Sequence, residues 1–461
     1  MATTSTRKLW RTLLVALAGT VVVFPFLSRP FYGTDQISAW FPTSSSTPRS
    51  GTITQADPEL FKGFMLKPNA IPTDYYQYNT VALVNLHACL ATRSCGVNQA
   101  KVAILDSNWF RQGIAEGWKG GEGVWGQSIY NSLTNLGYTC IVAISVDEVY
   151  RYYRQMPDLV KIIITEHVPL MDQDPKYMES VEHPDGIPIW KLFWMTFFPN
   201  RGQGVLKGKW TINAVKHPYD SDSYNYLGYS IEDHCNSVPF VPLADRPEQA
   251  WLFAKQATYF YKSAFAWERT WFNNLTRDVP GLSVKGAFSV DEHYQWNPDK
   301  DGHFDNVPGG LVGVENVGRI GPEQFNDELS HSRVLLGVGD PWYSPSPFYS
   351  LCFGVPFINV VRKWNEAKPD ERWNWDVQQP ELVTWDPPYV YHVKSKDYDG
   401  LVSALKQAMT VPIPRTILPH MTQAEHELRM QALMETDWYD EAVQELERRK
   451  ESGGKLFYVK M

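Results

Sequence analysis

The feature that most restricts this fold is a rhythm of short apolar runs separated by helical patterns. Lys101–Asp106, Thr139–Val146 and Val160–Thr165 are three such runs. Each is short and rich in Val and Ile, so each reads as a strand buried on both faces of a parallel sheet. Between the first two, Gly117–Gly123 leads into a helical pattern from Val124 to Leu136 that Gly137 stops. A helix around Glu148–Met156 links the second run to the third. Strands alternating with helices require right-handed crossovers and a parallel sheet. An aromatic, loop-like middle follows from Val168 to Tyr226, and then the alternation restarts. Tyr226–Glu232 reads as a strand, Glu248–Asn273 as a long helix and Ser283–Ser289 as a strand. After these come the helix Gln324–Ser330, the strand Val334–Val338, the helix Pro347–Phe353 and the strand Pro356–Val361. The expected fold is α/β, with two Rossmann-like halves facing across a cleft. Residues 74–222 form the first half, 223–420 the second, and 421–461 a charged terminal helix.

Composition sets outer limits. The chain has 461 residues, 43% of them hydrophobic and 20% charged, enough apolar material for a sizeable core. A net charge of −8 argues against a general nucleic-acid binder, which needs cationic excess to neutralise phosphates. Eighteen Trp stand out, and their flat rings stack on sugar faces and fill cores equally well.

The N-terminus points to a compartment. Arg7, Lys8 and Arg11 precede an apolar run from Leu13 to Leu27. As a helix this run rises about 22 Å, short of the ~30 Å hydrocarbon core, and Leu9 and Trp10 extend it. No Ala-x-Ala site follows, and the positive charges come before the run. We therefore expect a retained type II signal-anchor within residues 1–30, with a cleaved signal peptide as its rival. A short span suits a thin Golgi membrane, and the rest of the chain would be luminal. Residues 31–73 are the expected stem, in which 43–58 are rich in Ser, Thr and Pro. In a luminal chain Cys89 and Cys95 are close enough for a loop disulfide, with two free buried thiols as the alternative. Cys140, Cys235 and Cys352 sit in apolar settings and read as core residues. Asn274-Leu275-Thr276 is an N-glycosylation triplet.

Three features bear on chemistry. Gly120-Gly121-Glu122-Gly123 follows the first strand, where ligands bind in a parallel sheet, and Glu122 is placed to act as a general base on a hydroxyl. Its plainer reading is an acid complementing a helix dipole. The second feature is the stretch Val334–Val361. A strand ends in Gly337-Val338-Gly339, a Pro-rich loop follows, and Ser346-Pro347 opens a helix. With Ser at the N-cap and Pro in the first turn, free amides would seat a diphosphate without a metal; an ordinary capped crossover is the alternative. The third is a set of acid pairs: Asp172 and Asp174, Asp220 and Asp222, Asp299 and Asp301. All lie in polar turn segments and read as solvated turns, so no metal is expected. Glu166-His167 is an isolated pair after a strand, with no zinc spacing around it.

The run from Gly318 to Asn359 resembles the donor-side signature of the N-acetylglucosaminyltransferase V family. These are the α-1,6-mannosyl-glycoprotein 6-β-N-acetylglucosaminyltransferases of glycosyltransferase family 18. Tyr226-Leu227-Gly228-Tyr229 is similar to that family's Phe-Leu-Gly-Phe strand. Lys207-Gly208-Lys209-Trp210 is similar to its Trp-Gly-Lys-Trp segment, and Gly120-Gly121-Glu122 with Gly137-Tyr138 to its base-bearing helix. The resemblance covers roughly residues 101–422. It implies a GT-B-type fold and inverting, metal-independent transfer of N-acetylglucosamine from UDP-GlcNAc to a mannose 6-hydroxyl of glycoprotein N-glycans. In that scheme Glu122 is the base. Gly339, Ser346 and Pro347 hold the donor diphosphate, Lys255 and Arg319 are its cations, and Trp118, Trp125 and Trp210 stack on the acceptor. One departure stands out: Tyr349 occupies the place of the family's ribose-binding Glu. A phenol is not an anionic acceptor, so a different donor sugar or a catalytically silent sugar-binding protein is the alternative. A glycosidase would need a second carboxylate, for which Glu166 is the nearby strand-end candidate.

Overall fold

A computed structural model describes residues 13–17, 20–24, 74–198, 206–216, 224–261, 264–289 and 311–460. The expected stem and the acid pairs Asp220/Asp222 and Asp299/Asp301 lie outside the described residues. In the N-terminal apolar run, β1 (Leu13–Leu17) and β2 (Thr20–Phe24) pair antiparallel where an anchor helix is expected. Thr20 and Val21–Val23 are β-branched, which favours an extended chain. No helix among the described residues is long and apolar enough to cross a membrane.

The first lobe opens with α1 (Tyr75–Thr92), which Asp74 caps by accepting from the Tyr76 amide. Next come β3 (Val102–Asp106), α2 (Asn108–Ile114), α3 (Gly121–Asn135), β4 (Thr139–Ala143), α4 (Val146–Gln155), β5 (Val160–Thr165) and α5 (Val168–Gln173). Two strands then emerge from the middle expected as loop, β6 (Leu192–Thr196) and β7 (Thr211–Asn213), and β8 (Asn225–Tyr226) closes the sheet. All pairings are parallel, in the order β4-β3-β5-β6-β7-β8. Along β3, Val102 and Ile104 enter one core cluster while Ala103 and Leu105 enter another, so the two-residue period feeds both faces of the sheet.

The second lobe contains α6 (Glu232–Ser237), β9 (Gln249–Leu252), α7 (Trp271–Asp278), β10 (Ser283–Gly286), β11 (Val314–Asn316), α8 (Pro322–Ser330), β12 (Val334–Leu336), α9 (Ser346–Cys352), β13 (Phe357–Lys363), β14 (Asp376–Val377), β15 (Val390–Lys394) and α10 (Tyr398–Ala408). Its parallel strands run β11-β10-β9-β12-β13-β15, with β14 antiparallel to β13. This is the doubly wound dinucleotide-type order, and it confirms the two-sheet, GT-B-type expectation. The long helix expected over Glu248–Asn273 is instead the central strand β9, a 3-10 turn at Ala257–Tyr261 and the start of α7. An apolar run this short has no periodicity that separates a buried strand from a buried helix. Likewise only Tyr226 of the expected strand Tyr226–Glu232 lies in a strand, the two-residue Asn225–Tyr226.

One core cluster continues through both lobes, joining Leu105 and Trp125 to Trp251, Leu335 and Phe357. The terminal helices α11 (Gln423–Glu435) and α12 (Trp438–Ser452) return to the first lobe and brace it. Buried His426 Nδ1 lies 2.7 Å from Ser132 Oγ, Lys101 pairs with Glu435 at 2.6 Å, and the Trp438 ring meets Phe193 and Trp210. Two disulfides cross-link the fold. Cys89–Cys95 matches the expected loop; Cys235 and Cys352, both buried as expected of core residues, are in addition joined to each other across 117 residues. Nothing in local spacing marks a pair so distant. Cys140 is free and buried.

Trp438 carries much of the contact between the terminal helices and the first lobe. Trp438→Ala is expected to destabilise the protein by about 4 kcal/mol, the usual range for emptying a buried aromatic site. Urea unfolding of the purified protein measures it, and a change below 1 kcal/mol (an effectively neutral truncation) refutes the bracing role.

Candidate active site

The site assembles where strand carboxyl ends of both lobes converge. After β3 the chain passes through α2 and a turn over which the Trp118 ring lies. A Cβ at Gly120 would sit 2.0 Å from that ring, and one at Gly123 2.5 Å from the Trp118 carbonyl oxygen. Glycine is required here by close approach, as expected for a Gly-rich turn at this position. Gly120 is the N-cap of α3, and Glu122 falls in its first turn, half-buried. Glu122 is one wall of a cavity of about 360 Å³, with Trp109, Trp125, Glu166, Trp194 and Phe198 among the others. At the opposite, amino end of the same sheet lies a larger groove of about 780 Å³, lined by Tyr78, Val97, Tyr130 and Cys140. It holds no charged side chain, and burial pushes the Cys140 thiol far above its ordinary range. Of the two, only the smaller cavity brings carboxylates together.

Beside Glu166 lies a unit that spacing did not reveal. Asp106 ends β3 and is fully buried; its Oδ2 accepts from Thr165 Oγ1 at 2.5 Å and from His167 Nδ1 at 2.7 Å. Thr165 Oγ1 in turn accepts from the His167 amide at 2.8 Å. The hydrogen bond to Asp106 raises the His167 pKa above the ordinary 6.5, partly offset by burial. Asp106 and His167 stand at the ends of β3 and β5, the switch point of this sheet's winding, where α/β proteins bind ligands. Each is unremarkable in sequence, and only strand order makes them neighbours.

The second lobe contributes from β9 and β12, which flank its own switch point. Beyond β9, Lys255 keeps open surface at the cleft, yet the surrounding walls strip enough water to lower its pKa; the negative charge of Glu122 opposes that fall. The two residues assigned as base and donor cation thus feel each other across the lobes. Beyond β12, Gly339 has φ +111°, and a Cβ there would lie 1.8 Å from the Ala264 carbonyl oxygen. Its amide donates to buried Gln378 Oε1 at 2.9 Å. Two further contacts close the seam. A Cβ on Gly121 would be 3.3 Å from Pro345, and the Phe198 ring stacks with Trp342 at 6.3 Å.

Several expectations need correction. Ser346 is not the N-cap of α9: Pro345 holds that place and no side chain caps the helix. The Ser346 amide lies 3.5 Å from Ser344 Oγ, Pro347 has no N–H, and the Phe348 amide donates to the Pro345 carbonyl. The free amides expected at Ser346–Pro347 are therefore already engaged. Tyr349 is 6% exposed, its ring packed against His234 at 4.4 Å and stacked with Phe353, and burial raises its pKa; its phenol does not face an open ribose site. Trp210 is buried, donates to the Trp190 carbonyl and packs on Trp438, so it belongs to the core beneath α12. Trp125 borders the cavity, but at 1% exposure, with its ring edge-on to Phe197, it has no face free for a sugar. The accessible rings are Trp118, stacked on Trp109, together with Phe198 and Trp342. Arg319 is exposed in the loop after β11, and Asn274 is half-buried on α7. Asp174 caps a short turn and pairs with Lys176 at 3.0 Å. Among the described residues no three His, Cys, Asp or Glu converge on one point.

No family model matches the chain. Three curated proteins, from rat, mouse and human, resemble part of it, all named alpha-1,6-mannosylglycoprotein 6-beta-N-acetylglucosaminyltransferase A. The rat protein is 21% identical over 203 residues, 42% of this chain and 24% of its own length; the human protein is 21% identical over 232 residues, 46% and 28%. The chain thus spans about a quarter of the length of these relatives. Among solved structures, AviGT4, a glycosyltransferase involved in avilamycin A biosynthesis, is 14% identical with a TM-score of 0.35, covering 77% of this chain and 98% of its own. An alpha-glucosyltransferase in complex with UDP-glucose and DNA is 8% identical with a TM-score of 0.39, covering 73% and 94%. Both TM-scores lie below 0.5, so the fold assignment rests on the strand orders given above.

The Asp106–His167 pair makes stability depend on pH with a definite sign. Its folded pKa is raised, so it contributes stability fully below the unfolded value near 6.5 and loses it as pH rises through the folded value. Asp106→Asn is expected to lower the His167 pKa towards 6.5, read from its ring-proton NMR shift, and to narrow the stability gap between pH 5 and pH 8. An unchanged histidine titration in the variant rules the coupling out.

Proposed function

We propose that this chain is an inverting, metal-independent glycosyltransferase that moves N-acetylglucosamine from UDP-GlcNAc to a mannose 6-hydroxyl of glycoprotein N-glycans. A Golgi membrane, with the site luminal, is its proposed location. The observation that carries the reading is the opposition of Glu122 and Lys255, a carboxylate and a cation brought to one cleft from the two lobes. Partial likeness to enzymes named for that transfer supports the choice of sugars.

The chemistry follows from the groups present. A primary hydroxyl is a weak nucleophile and must lose its proton as it attacks the anomeric carbon. Glu122 takes that proton, a role worth about 10²–10⁴-fold. The new C–O bond forms on one face while the bond to UDP breaks on the other, its electron pair leaving on the diphosphate. Lys255, the cation that faces Glu122 across the cleft, neutralises that charge. Because the first-turn amides of α9 are engaged, the diphosphate depends on Lys255 more heavily than the sequence suggested. Arg319 is a second cation for it, on the exposed loop beyond β11.

One observation favours a second reading. Glu166 shares the cavity with Glu122, and two carboxylates about one bond are what glycoside hydrolysis needs. Release of UDP from UDP-GlcNAc in the presence of a mannoside acceptor decides between them. Glu122→Gln is expected to lower kcat about 10²–10⁴-fold with UDP affinity unchanged, and EDTA to leave turnover intact. Equal UDP release by wild type and variant defeats the base assignment, loss of turnover with EDTA defeats the metal-free mechanism, and glycan cleavage without nucleotide establishes the hydrolase.

A further inference from the structure

The reacting cavity is small and its mouth is apolar. At about 360 Å³ it lies near the lower end of the ~300–1,000 Å³ range of ligand pockets. Anything longer than the reacting sugar must leave through the mouth and lie on what surrounds it. There Phe198, a wall of the cavity, is 44% exposed, and Trp342 beside it is 41% exposed. The two rings are nearly parallel, 14° apart with centroids separated by 6.3 Å, an offset that makes them one stepped shelf. Phe198 follows β6 of the first lobe and Trp342 follows β12 of the second, so the shelf bridges the cleft. Arg362 lies over the Trp342 ring at 5.4 Å and is itself tied to Asp376, and Tyr343 packs beside the ring at 4.3 Å, so the indole is steadied while part of it stays open.

Large aromatic rings left open beside a cavity are costly to hydrate, and a partner that covers them recovers that cost. The partner must reach the cavity and present an apolar face to a flat ring. A pyranose does both, because its axial C–H groups form such a face while its hydroxyls stay in water. We infer that Trp342 and Phe198 form a subsite for a second sugar ring of the acceptor, and that this site is built for an oligosaccharide. The assignment rests on the glycosyl-transfer reading for which sugar reacts, but not for whether the shelf binds. Because Trp342 directly follows the Gly339–Pro341 donor turn, the same subsite places an acceptor contact on the donor lobe.

The test compares α-mannotriose with methyl α-mannoside as acceptors for wild type, Trp342→Ala and Trp342→Phe. Trp342 is exposed, so its removal leaves the core intact. In wild type the trisaccharide is expected to have the lower KM; Trp342→Ala is expected to shrink that preference about tenfold, and Trp342→Phe to restore most of it. An unchanged ratio of the two KM values overturns the subsite. Calorimetric binding of α-mannotriose without donor, to wild type and to Glu122→Gln, separates this inference from the catalytic one. Binding that Trp342→Ala weakens upholds the shelf even in a chain without turnover, while absence of any binding overturns it whether or not UDP is released.

Discussion

The structure depends on one geometric constraint: the strands that bear the site are parallel in both sheets, and both sheets are wound so that the carboxyl ends of those strands open towards the same cleft. At a switch point the loops leaving the carboxyl ends of adjacent parallel strands turn away in opposite directions and leave a crevice. Here the crevice of the first sheet, between β3 and β5, carries Asp106, Glu166 and His167. That of the second, between β9 and β12, carries Lys255 and Gly339. Facing them across one seam puts a carboxylate-lined cavity opposite Lys255, the charge arrangement on which the proposed transfer relies.

That facing is held by apolar contact. A single core cluster runs from the first sheet into the second, and α11 and α12 lie back across the first lobe through Trp438 and the buried His426–Ser132 pair. Burial drives the His426 pKa down to about 3, so this ring stays neutral and its packing is insensitive to physiological pH. The rigidity of this brace contrasts with the rim of the cleft, where Trp118, Phe198 and Trp342 keep open faces.

Much of the fold was readable in advance because it is local. The runs Lys101–Asp106 and Val160–Thr165, the Gly-rich approach to α3, and the strand–turn–helix around Gly339 all became the expected elements. Errors came where local pattern is degenerate. Gln249–Leu252 is a central strand inside what scanned as one long helix, and β6 and β7 were hidden in an aromatic stretch without clean alternation. Within the site, Glu122 was visible because glycines and strand position single it out. Trp210 and Tyr349 were misplaced because an aromatic side chain carries no sign of which of its faces will be covered.

By itself, then, the sequence determined the alternation of strands and helices, the glycine turns that let backbone and ring approach closely, and the position of Glu122 at a strand-following helix start. These follow from periodicity and steric allowance, which act over a few residues. Only the tertiary structure decided that Asp106 meets His167, that Cys235 meets Cys352, that Glu122 and Lys255 share one field, and which tryptophans remain open. Those outcomes depend on strand order and on how two lobes pack. Contacts between residues tens or hundreds of positions apart are set by the burial of whole faces, which no short segment encodes.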